Sequence, residues 1–448
     1  LINLFHLNPD DIANILCTTF NKMMVLLVTL TDKHQACPYC GFTAPKIKEY
    51  VTKEITHSAL TTQKCIIKYR ARRYKCSCCG KTYYEFNPFV FKSQKISILT
   101  VHNILKDLKD FNETFTSVAR RYHVSPTSVS TIFDNHVDIG RNPLPEIINF
   151  DEVYAFKSEK SKYVCVLLDF KKQIPVDVLP NRKKEYLLNY FQKIPLEERK
   201  KVKYACSDMY EVYRDVVHKV FPEAKHLLDY FHLSQDFHKK MNEVRIKVMK
   251  GYKDDKASDE YYLLKKFNWL LFKNPEDEDK YGRLFDVERE RKYNSHFKSY
   301  MNYYDLRKKL LEINNDLTIC YSLKLELVDF YSKSTIDNAK VNLENLIRSC
   351  IDTNIDEMIA FSNNLINWKQ EIINSFTIVG TEYKVEADKG QVVVCNKKVN
   401  NAIIENRNKI IKCIKNNANG YTNWSRFRNR VMYVLDPNTT FSLEPREK

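Results

Sequence analysis

The sequence predicts a multidomain protein of mixed α+β and α/β class, and three observations carry that expectation. Two Cys-x-x-Cys-Gly turns stand near the N-terminus, short apolar runs alternate with helical spacing from residue 147, and a long stretch almost free of glycine and proline follows. A chain of 448 residues has room for roughly two to four domains. The longest clean apolar run covers residues 23–28, far short of the ~20 that span a bilayer. No basic n-region leads into an apolar signal core, so neither export nor membrane residence is expected, and a cytoplasmic location is. Thirteen cysteines, an odd number spread over a long chain, read as reduced thiols rather than a disulfide scaffold. The chain opens on Leu1 rather than methionine, which leaves the completeness of its N-terminus open.

Taking the chain in order, the two cysteine pairs come first. Cys37-Pro38-Tyr39-Cys40 and Cys76-Ser77-Cys78-Cys79 are each followed directly by glycine, Gly41 and Gly80. Four thiolates in two such turns make a tetrahedral, structural Zn²⁺ site, and glycine relieves the backbone where each turn tightens. Residues 52–56 and 64–69 read as strands that return the chain between the pairs. Cys37, Cys40, Cys76 and Cys79 are the expected ligands, with Cys78 a substitute and Cys65 a core residue. A closed site of four ligands folds its domain and does no chemistry.

The charge is uneven. Lys plus Arg exceed Asp plus Glu by 72 to 56, giving +16, which suits a polyanionic partner. Residues 46–95 hold twelve basic residues against three acids, and residues 397–430 hold nine against Glu405 alone. A solvated face is the ordinary explanation of one such run. Here Tyr69, Tyr74, Tyr83, Tyr84, Tyr421, Trp424 and Phe427 interleave with the charge, as in surfaces that contact phosphates and bases. Arg70, Arg72, Arg73 and Lys75 are the expected contacts in the first block, Lys412 and Lys415 in the second.

A helix-turn-helix follows. Val101, Ile104, Leu105 and Leu108 recur at helical spacing, as do Phe115, Val118, Ala119 and Tyr122. After a turn at His123-Val124, Ser125 caps a helix whose first residue is Pro126, where proline costs nothing. Val129, Ile132 and Phe133 face inward on this reading, leaving Thr127, Ser128, Ser130 and Thr131 outward for a DNA groove. An ordinary helical hairpin is the competing reading.

From residue 147 three strands (147–150, 163–169, 174–179) precede an alternation of helix (185–192), strand (202–206), helix (210–220) and strand (225–228). That is the order of an RNase H-like core. Asp151 and Asp208 end the first and fourth strands, which are neighbours in this topology, and close carboxylates are tolerable when a divalent cation neutralises them. The nearly glycine- and proline-free stretch that follows reads as an all-helical insertion. Beyond it, residues 400–409 begin a further helix with Asn401, Glu405, Asn408 and Lys412 on one face and Ile403, Ile410 and Ile414 on another. Glu405, alone in a basic surround, suits a third metal ligand.

These motifs together resemble the ISL-three family of bacterial insertion-sequence transposases, over residues 37–437. The most specific are Cys-Pro-Tyr-Cys-Gly at 37–41, Phe-Asp-Glu at 150–152, Pro-Val-Asp-Val-Leu-Pro at 175–180, Ser-Asp-Met-Tyr at 207–210 and Asp-Tyr-Phe-His-Leu at 229–233. The tail matches at Asn401, Glu405, Asn408, Gly420-Tyr421 and Phe427-Arg428, but departs at Asn406 and at Asn416-Asn417, where glycine and a basic pair are usual. The resemblance implies a DDE transposase with catalytic Asp151, Asp208 and Glu405 holding two Mg²⁺ (or Mn²⁺) ions, and gives Asp229 and His232 a substrate-positioning role. It implies DNA partners, namely terminal inverted repeats and target DNA, at least a dimer on DNA, and a bacterial, nucleoid-associated location. The expected domains are a zinc-binding N-terminal domain (1–95), a helix-turn-helix (96–145), the first part of the catalytic core (146–245), the helical insertion (246–385) and the closing helix with its basic tail (386–448). A non-catalytic regulator and an RNase H-like nuclease without strand transfer are the alternatives; the intact acidic trio speaks against the first.

Overall fold

The computed structural model describes residues 2–33, 36–58, 63–91, 94–156, 161–385 and 392–446. β1 (Ile12–Phe20) and β2 (Met23–Leu30) form a hairpin over Asn21-Lys22, whose φ angles of 48° and 61° are those a type I′ turn demands. β3 (Lys46–Thr56) runs antiparallel to β4 (Cys65–Lys75), β2 joins β4 in parallel, and β5 (Thr82–Tyr84) also pairs with β4. The apolar run at 23–28 is therefore an inner strand in the order β1-β2-β4-β3. Leu26, Ile55, Ile67 and Tyr69 pack beneath this sheet with Phe5 and Phe89.

Three helices follow: α1 (Ile98–Asp107), α2 (Phe115–Arg121) and α3 (Pro126–His136). Each begins where a side chain satisfies free backbone amides: Ser97 accepts from Thr100, Thr114 from Ser117, and Ser125 from Ser128, with Pro126 opening α3. His123 turns the chain at φ 53°. Val101, Leu105, Val118, Val129 and Phe133 are fully buried between the helices. Tyr433 joins that core from the helix Trp424–Leu435, its hydroxyl donating to the Leu105 carbonyl at 2.9 Å.

The central sheet has the order β10-β9-β6-β7-β8, built from β6 (Ile147–Val153), β7 (Val164–Asp169), β8 (Ile174–Leu179), β9 (Tyr204–Ser207) and β10 (Lys225–Leu228). The β6–β7 and β7–β8 pairs are antiparallel; β6–β9 and β9–β10 are parallel. The strands read as continuous apolar runs because both faces are covered. Ile148, Phe150 and Leu167 meet the helices Lys184–Gln192 and Glu211–Val220, whereas Val153, Val166 and Val178 meet the helices Ala402–Asn417 and Trp424–Leu435.

The helix Tyr230–Lys250 leaves the sheet and crosses into a second apolar body, where Leu233, Phe237 and Met241 pack with residues as distant as Phe361 and Phe376. The expectation of an all-helical insertion is corrected here. Two short antiparallel pairs, Glu278–Asp279 with Gly282–Arg283 and Lys292–Asn294 with Ser299–Met301, interrupt the helices. A longer hairpin, Ile378–Val385 with Val392–Lys398, leads back toward the core. Gly282, at φ 95°, closes the turn that joins the first of these short pairs. No helix among the described residues is long and apolar enough to cross a membrane.

Candidate active site and metal centres

The two cysteine turns meet. Gly41 N–H donates to the Cys37 carbonyl and Gly80 N–H to the Cys76 carbonyl, both glycines sitting at φ near +70° (73° and 72°). The sulfurs of Cys37 and Cys79 stand 3.7 Å apart and those of Cys40 and Cys76 3.5 Å apart, with all four within 4.8 Å of one another. Four sulfurs around one zinc at ~2.3 Å lie about 3.8 Å apart, so the cluster suits Zn²⁺ as built. The Cys79 amide helps hold the Cys76 thiol down, while the neighbouring thiols push Cys40 and Cys79 up, as four sulfurs crowded together without a cation must share their protons. Cys78 and Cys65 fall outside this group; Cys65 is buried among the sheet's apolar residues.

The acids gather at the C-terminal ends of three adjacent parallel strands. Asp151 lies in β6, Asp208 follows β9, and Asp229 follows β10, its amide donating to the Ser207 carbonyl. Asp229 also caps the helix that carries His232 one turn on, with Nε2 of His232 3.9 Å from Oδ2 of Asp229. Glu405 arrives from the helix Ala402–Asn417, and ligand atoms of Asp229, His232 and Glu405 lie within 4.8 Å of one another. This group is not the expected trio: Asp151 and Asp208 lie outside it, near enough for the charge of His232 to act on Asp151 and that of Asp229 on Asp208. Burial pushes the Asp151 carboxyl up to about 7, with Asp208 adding to the rise, and pushes Asp208 up to about 6. Asp229 is raised by burial as well, partly offset by His232. Among the described residues, Oδ1 of Asp208 and Nε2 of His232 are buried without a hydrogen-bond partner. The unmatched atoms of Asp208 and His232, with Asp229 and Glu405 at hand, fit a divalent cation such as Mg²⁺ or Mn²⁺, whereas both oxygens of Asp151 already accept, one from the Glu152 amide and one from Asn408.

The asparagines of the closing helix do the docking. Asn149 donates to Oδ1 of Asn401 at 2.7 Å, and Asn408 donates to Oδ2 of Asp151 at 2.7 Å, both pairs buried. The face expected to carry Asn401, Glu405, Asn408 and Lys412 thus also clamps β6. Ile404, Ile411 and Ile414 form the apolar face. Ile403 and Ile410, expected there, are only partly buried, because the helix is rotated to bring Asn401 and Asn408 onto the strand.

The expected DNA contacts divide. Arg70 is exposed and lies over the Tyr50 ring, and Lys75 is exposed at the end of β4. Arg73 pairs with Glu49 at 2.7 Å yet also faces the Tyr84 ring. Arg72 is turned inward, paired with Glu85 at 2.7 Å and donating to the Leu30 and Thr31 carbonyls; alternation along β4 sends it to the opposite face from Arg73. On α3, Thr127 and Thr131 are exposed and Ser128 is half-buried. Ser130, expected outside, is buried with its hydroxyl on the Thr127 carbonyl, since it sits one residue from Val129 on the packed side. Lys412 is exposed, and Lys415 lies over Tyr154.

An RNase H-like strand order with acids converging at its parallel strand ends defines an enzyme of the DDE class. A family model described as a transposase, that of the ISL-three DDE group, matches residues 148–387, more than half of the chain. The chain belongs to the ISL-three family of transposases. It is also similar, at 19% identity over 411 residues covering 91% of this chain and 90% of the relative, to the transposase for insertion sequence element IS1001 of Bordetella parapertussis. The family match includes Asp151, Asp208, Asp229 and His232 and stops short of Glu405.

Proposed function

We propose that this transposase binds the two ends of its insertion sequence, cuts them by hydrolysis to free 3′-hydroxyls, and joins those ends to target DNA by transesterification. The observation that carries it is the gathering of Asp229, His232 and Glu405 within ligand distance of one another at the ends of the parallel strands, next to the buried acids Asp151 and Asp208, whose charges act on one another. Divalent cations held there supply Lewis acidity and an activated water nucleophile for phosphodiester cleavage. Asp151, Asp208 and Glu405 would be the principal ligands. Asp229 and His232 would orient the scissile strand or complete the ligand set. Asn408 and the Glu152 amide each donate to one oxygen of Asp151 and so fix the orientation of its carboxylate. No covalent enzyme intermediate is required, so the site needs no nucleophilic side chain of its own.

End recognition is assigned to residues 1–95 and 96–145, and assembly to at least a dimer, because two ends must be handled together. Incubation with Mg²⁺ and a labelled duplex carrying the element's own ends tests the whole reading. Nicked and joined products are expected; nicks without joined products would leave a nuclease, and neither would leave a regulator.

Two further outcomes are expected. Replacing Arg70 and Lys75 together by Gln should lower the slope of log affinity against log salt by about two, since each phosphate contact contributes ~0.9. The Arg72→Gln change should destabilise the N-terminal sheet instead, read as a lower melting temperature. At the site, Asn408→Ala should weaken the Mg²⁺ dependence of cleavage by about 10–100-fold, the usual cost of losing a group that orients a metal ligand. An unchanged Mg²⁺ titration would remove Asn408 from the machinery.

A further inference from the structure

Beside the acids, cations and aromatic rings alternate in a row. Nζ of Lys415 lies 5.1 Å from the Tyr154 ring centre, and the Tyr154 and Tyr163 rings meet edge-on at 5.7 Å. The Arg182 guanidinium is then 4.8 Å from the Tyr163 ring and 4.6 Å from the Tyr210 ring. The row is tied to the catalytic strands at each step. Tyr154 and Tyr163 flank the last β6–β7 pair, Val153 with Val164. Tyr210 stands two residues beyond Asp208, and Arg182 forms an ion pair with Glu152, the neighbour of Asp151. The positive charge of Arg182 reaches Asp208 itself, counteracting the rise in its pKa.

This arrangement is more than a fold needs. Tyr154 and Tyr163 remain 48% and 39% exposed, leaving ring surface uncovered at the rim of the site. Arg182 has five N–H donors, but Glu152 is its one hydrogen-bonding partner among the described residues. A planar guanidinium set between rings is held in orientation while its edge can still meet a phosphate. Exposed rings with flanking cations take up unpaired nucleotides, because every base offers a face to stack and every linkage a charge to pair. Bases inside a duplex cannot reach such rings.

We infer that Lys415, Tyr154, Tyr163, Arg182 and Tyr210 form a track for unpaired DNA nucleotides next to the scissile phosphate. Arg182 takes a phosphate oxygen in competition with Glu152, and the tyrosines receive bases released from the duplex end. This assignment rests on the transposase reading for the identity of the DNA, but not for the chemistry of the track.

The test uses the full chain in Ca²⁺, with 5-iodouracil placed on either side of the cleavage position in a duplex end and, separately, in a 12-nucleotide single strand. After irradiation the crosslinked peptides are mapped by mass spectrometry. Crosslinks are expected at Tyr154 or Tyr163 with both probes. The Tyr154→Ala, Tyr163→Ala double variant should lose about ten-fold or more in crosslink yield and in single-strand affinity. Its affinity for a fully paired end should stay within about two-fold, because that contact lies on the N-terminal modules. Arg182→Lys keeps the charge but not the plane, and should cut fully paired ends about ten-fold more slowly while an end already unpaired at the cleavage position is cut closer to the parent rate. Both tyrosines are exposed, so the double variant should melt with the parent. Crosslinks confined to other segments, or an unchanged single-strand affinity in the double variant, would overturn the track even if the parent cleaves its ends. Crosslinks at the tyrosines without any cleavage by the parent would keep the track and sink the transposition reading.

Discussion

Asp151→Asn, Asp208→Asn and Glu405→Gln are each expected to reduce Mg²⁺-dependent cleavage by roughly a thousandfold or more, about 4 kcal/mol of transition-state stabilisation. Each change removes one negative ligand and nearly preserves shape. End binding should survive and can tighten, because repulsion between carboxylate and phosphate is relieved. Asp169→Asn is the right control: Asp169 accepts from the Lys171 and Lys172 amides at a turn and ends β7 opposite Ile148, three residues along the strand from the partner of Asp151. Asp177 is a poor one. It is buried against Arg428 at 2.7 Å and accepts from the Tyr190 hydroxyl at 2.6 Å, so Asp177→Asn should cost stability and blur an activity comparison. Cleavage by Glu405→Gln at the parent rate would mean that another acid completes the site, with Asp229 first in line given its place beside Glu405.

The second large effect lies at the other metal centre. Cys40→Ser, or a chelator strong enough to strip the four cysteines, should unfold the N-terminal sheet and abolish end-specific binding. Structural zinc contributes on the order of 10 kcal/mol to the folding of small domains, more than this sheet's modest apolar core can replace. The central sheet has its own buried core and should remain folded. Circular dichroism with metal analysis and a mobility shift on end DNA would decide it. Full end binding by zinc-free, folded protein would show that the cysteines are not structural ligands.

Much of this was legible before any coordinates. The cysteine turns announce themselves because a metal site needs fixed ligand spacing and a glycine at positive φ, both local properties. The cap at Ser125 is local too, as is the alternation of helix and strand from β8 onward. The hairpin over Asn21-Lys22 was missed, since Lys is an unusual residue for the left-handed position and the apolar run of β2 hid its alternation. The short strands at 278–301 were missed for a related reason: stretches of two or three residues carry no period. Arg72 and Ser130 were misplaced by one position of strand or helix phase.

By itself the sequence carried the order of elements from α1 to β10, the two cysteine turns that meet in one cluster and the acids at the ends of β6 and β9. Spacing along the chain encodes those, and hydrophobic period and turn chemistry act over a few residues. The tertiary structure alone decided that Asp229, His232 and Glu405 close on one another, that Asn408 holds Asp151, and that Arg182 lies between Tyr163 and Tyr210. Glu405 is separated from Asp151 by more than half the chain, and contacts at that distance depend on how the closing helix rotates to seat two buried asparagines. No local pattern carries that rotation; it brings the Asn408 amide onto Asp151 and the Asn401 oxygen onto Asn149, while the side-chain oxygens of Asn149 and Asn408 find no partner among the described residues.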